Sequence, residues 1–368
     1  MSLIGFGIDS GGTHTTCAVK YADDAQKTAM MESSSTLADS RSAMSMRRTA
    51  EWIISRILDL TQPGDECCVW IGAAAGIMST STGAFEQAFE VPLLQLSQRN
   101  IDCEIFVAND AVSILKSPPL HGQGIVAIVG TGSIVVGAHP TCPDGIIRRS
   151  GYEWPVGDHG AGIWMTFESI RMVLEDIQMR GSDAYHSPLL DRLCDYFNID
   201  SELYSSIPDS YSSLARVEAL ASTLARAGED SKRRIAGFVH PSLFDLASIS
   251  SSAGHDPLAA RVISGSVRIM RADIAAVSET LAAFTADNPN SRERLPLIVG
   301  GSIAANSSYR QQLEAAVSEL AYVRPLQIIG DAAQTFADLA MHYLRSNARE
   351  RKTIAKGFDP LNQILRLQ

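Results

Sequence analysis

The sequence predicts an α/β protein built from two similar lobes with a cleft between them. A glycine-rich turn between two strand-like segments occurs at residues 5–20, "GFGIDSGGTHTTCAVK", and again at residues 124–139, "GIVAIVGTGSIVVGAH". Each turn is followed along the chain by a series of segments whose patterns predict strands and helices. If each turn holds phosphates, a nucleoside triphosphate in the cleft would be held from both sides.

The first turn does not match the two common phosphate-binding loops. A Walker-type loop needs a lysine directly after its glycines, and the first lysine of the chain is Lys20. A dinucleotide fingerprint needs a third glycine, where Ser10 stands, and then a helix. Residues 13–20 instead alternate in polarity and are rich in β-branched side chains, which indicates a strand. The unit is therefore a hairpin: either an anion-binding nest of backbone N–H groups or an ordinary Gly-Gly turn.

The remaining patterns of the first part of the chain predict strands at 3–9, 67–73 and 103–108. Apolar side chains recur at helical spacing over 40–60, after a suitable N-cap at Asp39 or Ser40, and 83–96 is a second amphipathic stretch. The strongest turn and linker signal is "KSPPLHGQ" at 116–123. We therefore predict a first lobe at 1–116 and a second at 117–368.

The second lobe is predicted to contain the second hairpin and a helical insertion over about 158–287. A strand follows in "LPLIVGG", then a helix after Asn306, a short strand near 325–329 and a last helix at 332–345. The pattern leaves open whether the last helix or the tail packs back on the first lobe.

The composition excludes several classes of protein. The formal net charge of −10 argues against nucleic acid or an anionic membrane surface as a partner. Apolar runs such as "CCVWIGAAAGIM" are shorter than the ~20 residues of a membrane-spanning helix, and the initial strand pattern leaves no room for a cleavable signal. Six cysteines without C-x-x-C spacing indicate neither a disulfide framework nor a metal cluster. We expect a protein of the reducing cytoplasm.

Five short motifs follow one another along the chain: "GIDSGGTHT" at 7–15, "VANDA" at 107–111, "VGTGS" at 129–133, "GYEWPVGDHGAGIWM" at 151–165 and "VGGSIAAN" at 299–306. In order and spacing they resemble the N-acetylglucosamine kinase family, which belongs with the BadF/BadG-type ATPases in the actin, Hsp70 and sugar-kinase superfamily. Any one motif is weak, but five in register extend from the first strand to the final helix. The resemblance implies two ribonuclease-H-like (actin-like ATPase) lobes around a nucleotide cleft, and a homodimer.

The resemblance also implies ATP and Mg²⁺ as cofactors, with Asp9 near the Mg²⁺. The residues that it assigns to the nucleotide are Gly11, Gly12 and Thr13 on the γ-phosphate, Thr131, Gly132 and Ser133 on the phosphates from the other lobe, and Gly300, Gly301 and Ser302 along the nucleotide. In the last segment, only small residues let a flat base approach the backbone.

On the acceptor side, Asp110 matches the family's catalytic base. It ends the apolar strand "CEIFVAND", so its carboxylate would emerge at the edge of the cleft. Without the other motifs, an Asn-Asp pair after a strand more often caps a helix. The resemblance further implies that Asp158 hydrogen-bonds the sugar and that Gly151 supplies the backbone of the sugar loop, which also contains Tyr152 and Glu153.

The sugar loop departs from the family pattern G-W-G-x-x-x-G-D-E-G-S. Tyr152 replaces the tryptophan, Glu153 the second glycine, His159 the glutamate and Ala161 the serine. Leu37 falls near the asparagine that animal enzymes use against the sugar. The phosphate-binding motifs thus match the family, while the sugar side is altered. The side chain at 159 is either a proton-handling group or a hydrogen-bonding replacement, and the direction of the side chain at 153 is left open.

We therefore expect an ATP-dependent kinase that phosphorylates a hydroxyl of an amino sugar, N-acetylglucosamine or glucosamine. One alternative is a non-kinase ATPase that activates a dehydratase, but such proteins carry cysteines for a bridging iron–sulfur cluster. The other alternative is a sugar-binding regulator without catalysis. Regulators of that kind usually begin with a DNA-binding helix pair, and the retention of Asp110 favours an enzyme.

Overall fold

The structure, a computed structural model, describes residues 2–11, 14–23, 28–33, 37, 43–74, 82–142, 145–152, 154–181, 186–199, 209–226, 231–248, 255–284, 294–357 and 364–367. Two mixed β-sheets, each flanked by helices, form the centres of two lobes. This arrangement confirms the predicted α/β fold class.

The first sheet has the strand order β11-β5-β4-β1-β2-β3. Its strands are β1 (Leu3–Ser10), β2 (Thr15–Tyr21), β3 (Thr28–Ser33), β4 (Glu66–Ala73), β5 (Asp102–Asn109) and β11 (Leu365–Leu367). The central strands β1, β4 and β5 are parallel, whereas β2, β3 and β11 pair antiparallel with their neighbours. The carboxyl ends of β1, β4 and β5 therefore meet at one edge of this sheet.

The second sheet repeats this topology. Its order is β10-β9-β6-β7-β8. The strands are β6 (Gly124–Val129), β7 (Ser133–Ala138), β8 (Ile147–Ser150), β9 (Leu297–Gly300) and β10 (Gln327–Ile328). Apart from β11, the two sheets have the same connectivity and the same strand directions. The duplication that the two glycine hairpins predicted is present in the fold.

Helices cover both sheets, and the stretch predicted to be mostly helical contains α4 to α9. The helices are α1 (Ala43–Leu60), α2 (Thr82–Gln98), α3 (Asp110–Lys116), α4 (Gly162–Arg180), α5 (Pro188–Phe197), α6 (Asp209–Ala225), α7 (Lys232–Gly237), α8 (Phe244–Ala247), α9 (Pro257–Phe284), α10 (Ser307–Ser318), α11 (Ala332–Arg345) and α12 (Ala348–Ala355). Among the described residues, none of these helices combines the length and apolar composition needed to span a bilayer.

A shared hydrophobic core joins the two sheets. It contains Trp70 and Phe106 from the first sheet, Val136 from the second, and Phe336 from α11. The indole N–H of Trp70 donates a hydrogen bond of 3.0 Å to the Ser113 hydroxyl on α3, so the polar atom of this buried ring is satisfied. Helices α3 and α11 therefore lie between the lobes, and two further cores lie on the outer sides of the sheets.

Helix α11 lies directly on β1 because glycines leave room for it. A Cβ on Gly7 would stand 2.0 Å from the backbone oxygen of Ala333, and one on Gly5 would stand 2.6 Å from the side chain of Met341. These two glycines, which look like the start of a dinucleotide fingerprint, serve helix packing. The tail also returns, because β11 pairs with β5 at Leu365. Helix α11, which the sequence predicted as the last helix, and the tail therefore both lie against the first sheet.

Candidate functional site

The first glycine turn joins β1 to β2 at the edge where the parallel strands end. The hydroxyl oxygens of Ser10 and Thr15 lie 3.0 Å apart and close the base of the turn. Gly11 is partly exposed above this contact, whereas Gly12 and Thr13 lie outside the described residues. The assignment of these three residues to the γ-phosphate stays a prediction.

Asp110 is the first residue of α3, directly after β5. Asn109 occupies the N-cap position, and its side-chain oxygen accepts a hydrogen bond of 3.0 Å from Ala111 N. The Oδ1 atom of Asp110 accepts a second bond from the same N–H at 2.8 Å. The capping role that an Asn-Asp pair ordinarily suggests thus belongs to Asn109. Asp110 is therefore not the N-cap residue, and its carboxylate interacts with the charge of Arg148.

Burial makes two aspartates at this edge more basic than usual. Burial raises the pKa of Asp110 from 3.8 to about 6, although backbone hydrogen bonds and the positive charge of Arg148 oppose the rise. The pKa of Asp9 rises from 3.8 to about 7, first because of burial and then because of the negative charges of Asp110 and Asp331. A carboxylate with a pKa of about 6 is ionised at pH 7 and still basic enough to take a proton from a reacting hydroxyl.

Asp331 is a third acidic residue in this group, and the sequence analysis missed it. It follows β10 and Gly330, and its side chain caps α11 by accepting a hydrogen bond of 3.0 Å from Gln334 N. It follows the last strand of the second sheet and precedes a helix, as the Asn109–Asp110 pair does after β5, and its cap position corresponds to that of Asn109. The duplicated strand-to-helix pattern was therefore the signal that could have identified it.

The second glycine turn connects β6 to β7 and is bound to the start of α4. Inside the turn, Gly130 N donates a hydrogen bond of 2.9 Å to Gly132 O. From α4, Gly162 N donates to Gly130 O at 2.9 Å and Ile163 N donates to Thr131 O at 3.3 Å. The carbonyl groups of the turn are thus engaged by the helix. Their orientation toward α4 fixes the backbone of the turn.

Asp158, which was predicted to bind the sugar, lies against this second turn. Its Oδ1 atom accepts a hydrogen bond of 3.2 Å from Ser133 N. A Cβ on Gly132 would stand 2.8 Å from its Oδ2 atom. The Ser133 hydroxyl in turn donates a bond of 3.0 Å to the backbone oxygen of His159. These contacts join the predicted sugar loop to the predicted phosphate turn, and a bond from Asp158 to the sugar stays a prediction.

The third predicted nucleotide segment borders the second turn. Gly301 has a φ of +98°, and a Cβ there would stand 2.3 Å from the backbone oxygen of Val129, so only glycine fits this position. A Cβ on Gly130 would stand 3.7 Å from the hydroxyl of Ser302. Gly300 ends β9 beside β6. The structure therefore brings together the two segments of the second lobe that were assigned to the nucleotide.

The predicted sugar loop starts at the end of β8. Gly151 has a φ of +73°, and the side chain of Tyr152 is 60% exposed. His159 is exposed, Ala161 is buried at the N-cap position of α4, and Glu153 lies outside the described residues. The direction of the Glu153 side chain therefore stays open.

Leu37 does not belong to the sugar side of the site. Its side chain is completely buried in the core of the first lobe. Its backbone N–H donates a hydrogen bond of 2.7 Å to the Ser10 hydroxyl, which supports the first glycine turn from behind. The interpretation of Leu37 as a change in sugar contact is wrong, because an apolar residue at this position serves packing.

The donor chemistry of the site fits a nucleotide with a divalent cation. The negative charges of Asp110 and Asp331 act on Asp9, and a bound cation would relieve that repulsion. Among the described residues, no group of three or more His, Cys, Asp or Glu side chains is arranged to hold a metal alone. Mg²⁺ usually takes one or two carboxylates together with phosphates and waters. Asp9 as a Mg²⁺ ligand stays a prediction.

The fold is similar to that of several solved kinases. A "putative N-acetylglucosamine kinase" from Chromobacterium violaceum shares 22% identity, with 92% of this chain and 98% of that chain covered and a TM-score of 0.55. One from Porphyromonas gingivalis shares 15% identity, covering 93% and 98%, with a TM-score of 0.54. A glucose-bound hexokinase from Schistosoma mansoni shares 12% identity, covering 91% and 85%, with a TM-score of 0.51. At these identities the similarity establishes the fold.

Sequence comparison extends this result from the fold to the family. No curated protein sequence matches the chain. The model of one protein family, however, matches residues 6–330, from within β1 to beyond β10. The match includes both glycine turns, Asp110 and the segment at 300–302, as the five motifs predicted. The chain belongs to the BadF/BadG/BcrA/BcrD ATPase family.

Proposed function

We propose that the protein is an ATP-dependent kinase that phosphorylates a hydroxyl of an amino sugar, N-acetylglucosamine or glucosamine. The observation that carries this proposal is Asp110. It stands at the carboxyl edge of the first sheet with a pKa of about 6, and the charge of Arg148 from the second sheet acts on it. A carboxylate with this pKa can accept the proton of a hydroxyl at neutral pH.

The proposed reaction uses the residues in distinct roles. The sugar hydroxyl oxygen forms a bond to the γ-phosphorus, the bond from that phosphorus to the β–γ bridging oxygen breaks, and the hydroxyl proton passes to Asp110. The backbone of Gly11 and Gly132 would position the phosphates from the two lobes. Asp9 would hold Mg²⁺, which neutralises phosphate charge when bound. Closure of the cleft would exclude water from the phosphoryl group.

The choice of a sugar as acceptor rests on similarity. The family consists of ATPases, and the solved structures described above are named as N-acetylglucosamine kinases and a hexokinase. These names support a sugar hydroxyl as the acceptor. The family resemblance leads us to propose a homodimer, and the six cysteines without disulfide or metal spacing lead us to propose the cytoplasm.

The cysteines do not favour the activator alternative. All six cysteines lie in the described part of the chain; five are buried, and Cys103 is only partly exposed. Burial raises the pKa of the Cys68 thiol well above its usual value, so this thiol is not poised to bind a metal. A cluster bridging two subunits needs cysteines at the surface. Purified protein without iron absorbance would agree with this conclusion.

An ADP-release screen with Mg-ATP tests the proposed function. The acceptors are N-acetylglucosamine, glucosamine, N-acetylmannosamine, glucose and galactose, and one reaction contains no sugar. We expect ADP release to depend on an amino sugar, with a sugar phosphate as the second product. ADP release that no sugar changes would instead favour a non-kinase ATPase. Absence of release under all conditions would favour a sugar-binding regulator.

A further inference from the structure

The turn that opens the sugar loop has an unusual backbone. Ser150 has a φ of +60° and the following Gly151 a φ of +73°, so two consecutive residues lie in the left-handed region. For glycine this conformation is ordinary, but for a serine it is uncommon and costs free energy. Such a conformation persists where the surrounding structure holds it, and it is common near functional sites.

Arg148 is the side chain that holds this turn. Its Nε donates a hydrogen bond of 3.2 Å to the Ser150 backbone oxygen, and its Nη2 donates a close hydrogen bond to the Gly151 oxygen. The guanidinium carbon also lies 4.5 Å from the centre of the Tyr152 ring, a cation–π distance. A Cβ on Gly151 would stand 2.8 Å from Nη2, so the glycine is what lets the guanidinium approach.

The turn and its arginine are linked to both predicted sides of the site. The Ser150 hydroxyl lies 3.4 Å from the hydroxyl of Ser133 in the second glycine turn. On the other side, the charge of Arg148 acts on Asp110 at the end of the first sheet. The guanidinium therefore binds the loop that follows β8, and its charge also acts on the first-lobe carboxylate.

We infer that Arg148 is a positioning residue for the acceptor sugar: its planar fork fixes the turn at 150–152 and so sets the sugar hydroxyl in line with Asp110 and the phosphate turns. The inference rests on the proposed function, because it assigns a role within the same site. A guanidinium suits this task, since its fixed N–H groups can serve two carbonyl oxygens and an aromatic face together. Lysine offers a single ammonium without that geometry.

The surroundings of Arg148 argue against a purely structural role. Tyr152, on which the guanidinium stacks, is 60% exposed, so the stack closes no core. The next residue, Arg149, provides a matched comparison on the same short strand. Successive strand residues point to opposite faces, and Arg149 is exposed, with Asp273 of α9 as a charged neighbour.

The experiment compares Arg148→Met, Arg148→Lys and Arg149→Met with the wild type. For each protein we would measure kcat and KM for the best sugar, the Kd of ATP by calorimetry, and Tm. Misplacement of a reactant by about 1 Å costs on the order of 100-fold in rate, so Arg148→Met should lower kcat/KM for the sugar by ~100-fold. ATP affinity and Tm should stay near wild type, Arg148→Lys should recover only part of the loss, and Arg149→Met should behave as wild type.

Three results would overturn the inference. The first is equal kcat/KM for Arg148→Met and Arg149→Met. The second is a parallel loss of sugar turnover, ATP affinity and Tm, which would show a structural role. The third is full recovery in Arg148→Lys, which would show that charge alone suffices. If Arg148→Met does not fold, Arg148→Lys provides the test. A kcat/KM for the sugar below that of the wild type would support the inference, and a kcat/KM equal to that of the wild type would overturn it. A wild type without sugar-dependent ADP release refutes the proposed function and this inference together, whereas an active wild type with an intact Arg148→Met refutes this inference alone.

Discussion

Replacing Asp110 with asparagine should remove most phosphoryl transfer and leave the fold intact. Asparagine matches aspartate in size, and its Oδ1 atom can still accept the hydrogen bond from Ala111 N that Asp110 accepts at 2.8 Å. Asn109 continues to cap α3. Asparagine cannot take the hydroxyl proton, and loss of a general base costs about 10²–10⁴-fold in rate. This corresponds to about 3–5 kcal/mol of activation free energy.

The same substitution should stabilise the protein at pH 8 in the absence of metal and nucleotide. The folded pKa of Asp110, about 6, lies above its ordinary value of 3.8, so the folded state binds the proton more tightly. The stability contributed by this proton is complete below about pH 4 and is lost as the pH rises through about pH 6. One pKa unit equals about 1.4 kcal/mol, so ionised Asp110 lowers the unfolding free energy by about 3 kcal/mol. Asparagine, which is neutral at every pH, avoids this loss.

Thermal unfolding of both proteins between pH 5 and pH 8 in EDTA measures the effect. We expect Asp110→Asn to exceed the wild type in Tm by several degrees at pH 8, and by less at pH 5. Asp102→Asn, at the exposed start of the same strand, is the matched control and should leave Tm unchanged. Near-full turnover by Asp110→Asn on the best sugar would refute the general-base role. A Tm below wild type at pH 8 would refute the electrostatic argument.

Three further predictions concern the second glycine turn, the packing of α11 on β1, and the sugar loop. Gly132→Val should abolish nucleotide binding, because its Cβ would stand 2.8 Å from a carboxylate oxygen of the loop aspartate; an unchanged ATP affinity by calorimetry would contradict a role for the second turn. Gly7→Ala should lower the unfolding free energy by about 3 kcal/mol, because the methyl group would stand 2.0 Å from a backbone oxygen of α11. Gly83→Ala, where α2 leaves open space, should be tolerated, and equal Tm values for these two variants would contradict the packing argument. Glucosamine should compete well with N-acetylglucosamine, and Glu153→Gly should shift preference toward the acetylated sugar, because a carboxylate favours an ammonium or hydroxyl over an acetyl methyl. The test is kcat/KM for both sugars with both proteins, and a wild-type preference for N-acetylglucosamine of about 100-fold that the variant leaves unchanged would exclude this idea.

Four of the correctly predicted strands have buried, nearly continuous apolar runs. Strands β1, β4, β6 and β9 are of this kind, because sheets covered on both faces need apolar residues throughout. Strand β2 was predicted instead from its alternating, β-branched residues, and β10 is a short strand with exposed and half-buried residues. Strands β3, "TAMMES", and β8, "IRRS", were not predicted. They lie at the edges of their sheets and carry polar or charged residues, so no apolar pattern marks them. Strand β11 has only three residues, and its pairing with β5 joins distant parts of the chain.

The residues of the site differ in the same way: some lie in a recognisable local motif, and others matter only through partners that are far away in sequence. The glycine turns and Asp110 could be proposed as site residues because each lies in a short motif with its own local geometry, and their roles stay predictions. Arg148 could not be proposed in this way, since its importance comes from its effect on Asp110, which is far away in sequence. Asp331 was missed although the repeated strand-to-helix pattern marked its position. Leu37 was misinterpreted for a related reason: its position along the chain suggested the sugar side, whereas only the folded structure shows its complete burial.

The packing of α11 on β1 determines where the chain crosses from one lobe to the other, and therefore where a hinge between the lobes would lie. Strand β10 belongs to the second sheet, but α11 is fixed on the first, so the described chain passes between the lobes at 117–123 and again at 329–331. Two crossings define a hinge line, and at the second one Gly330 has open space around it. Asp331 lies on the first-lobe side as the N-cap residue of α11, and its negative charge acts on Asp9. Rotation about this line would change the distance between Arg148, on the second sheet, and the carboxylates of Asp9 and Asp110 on the first.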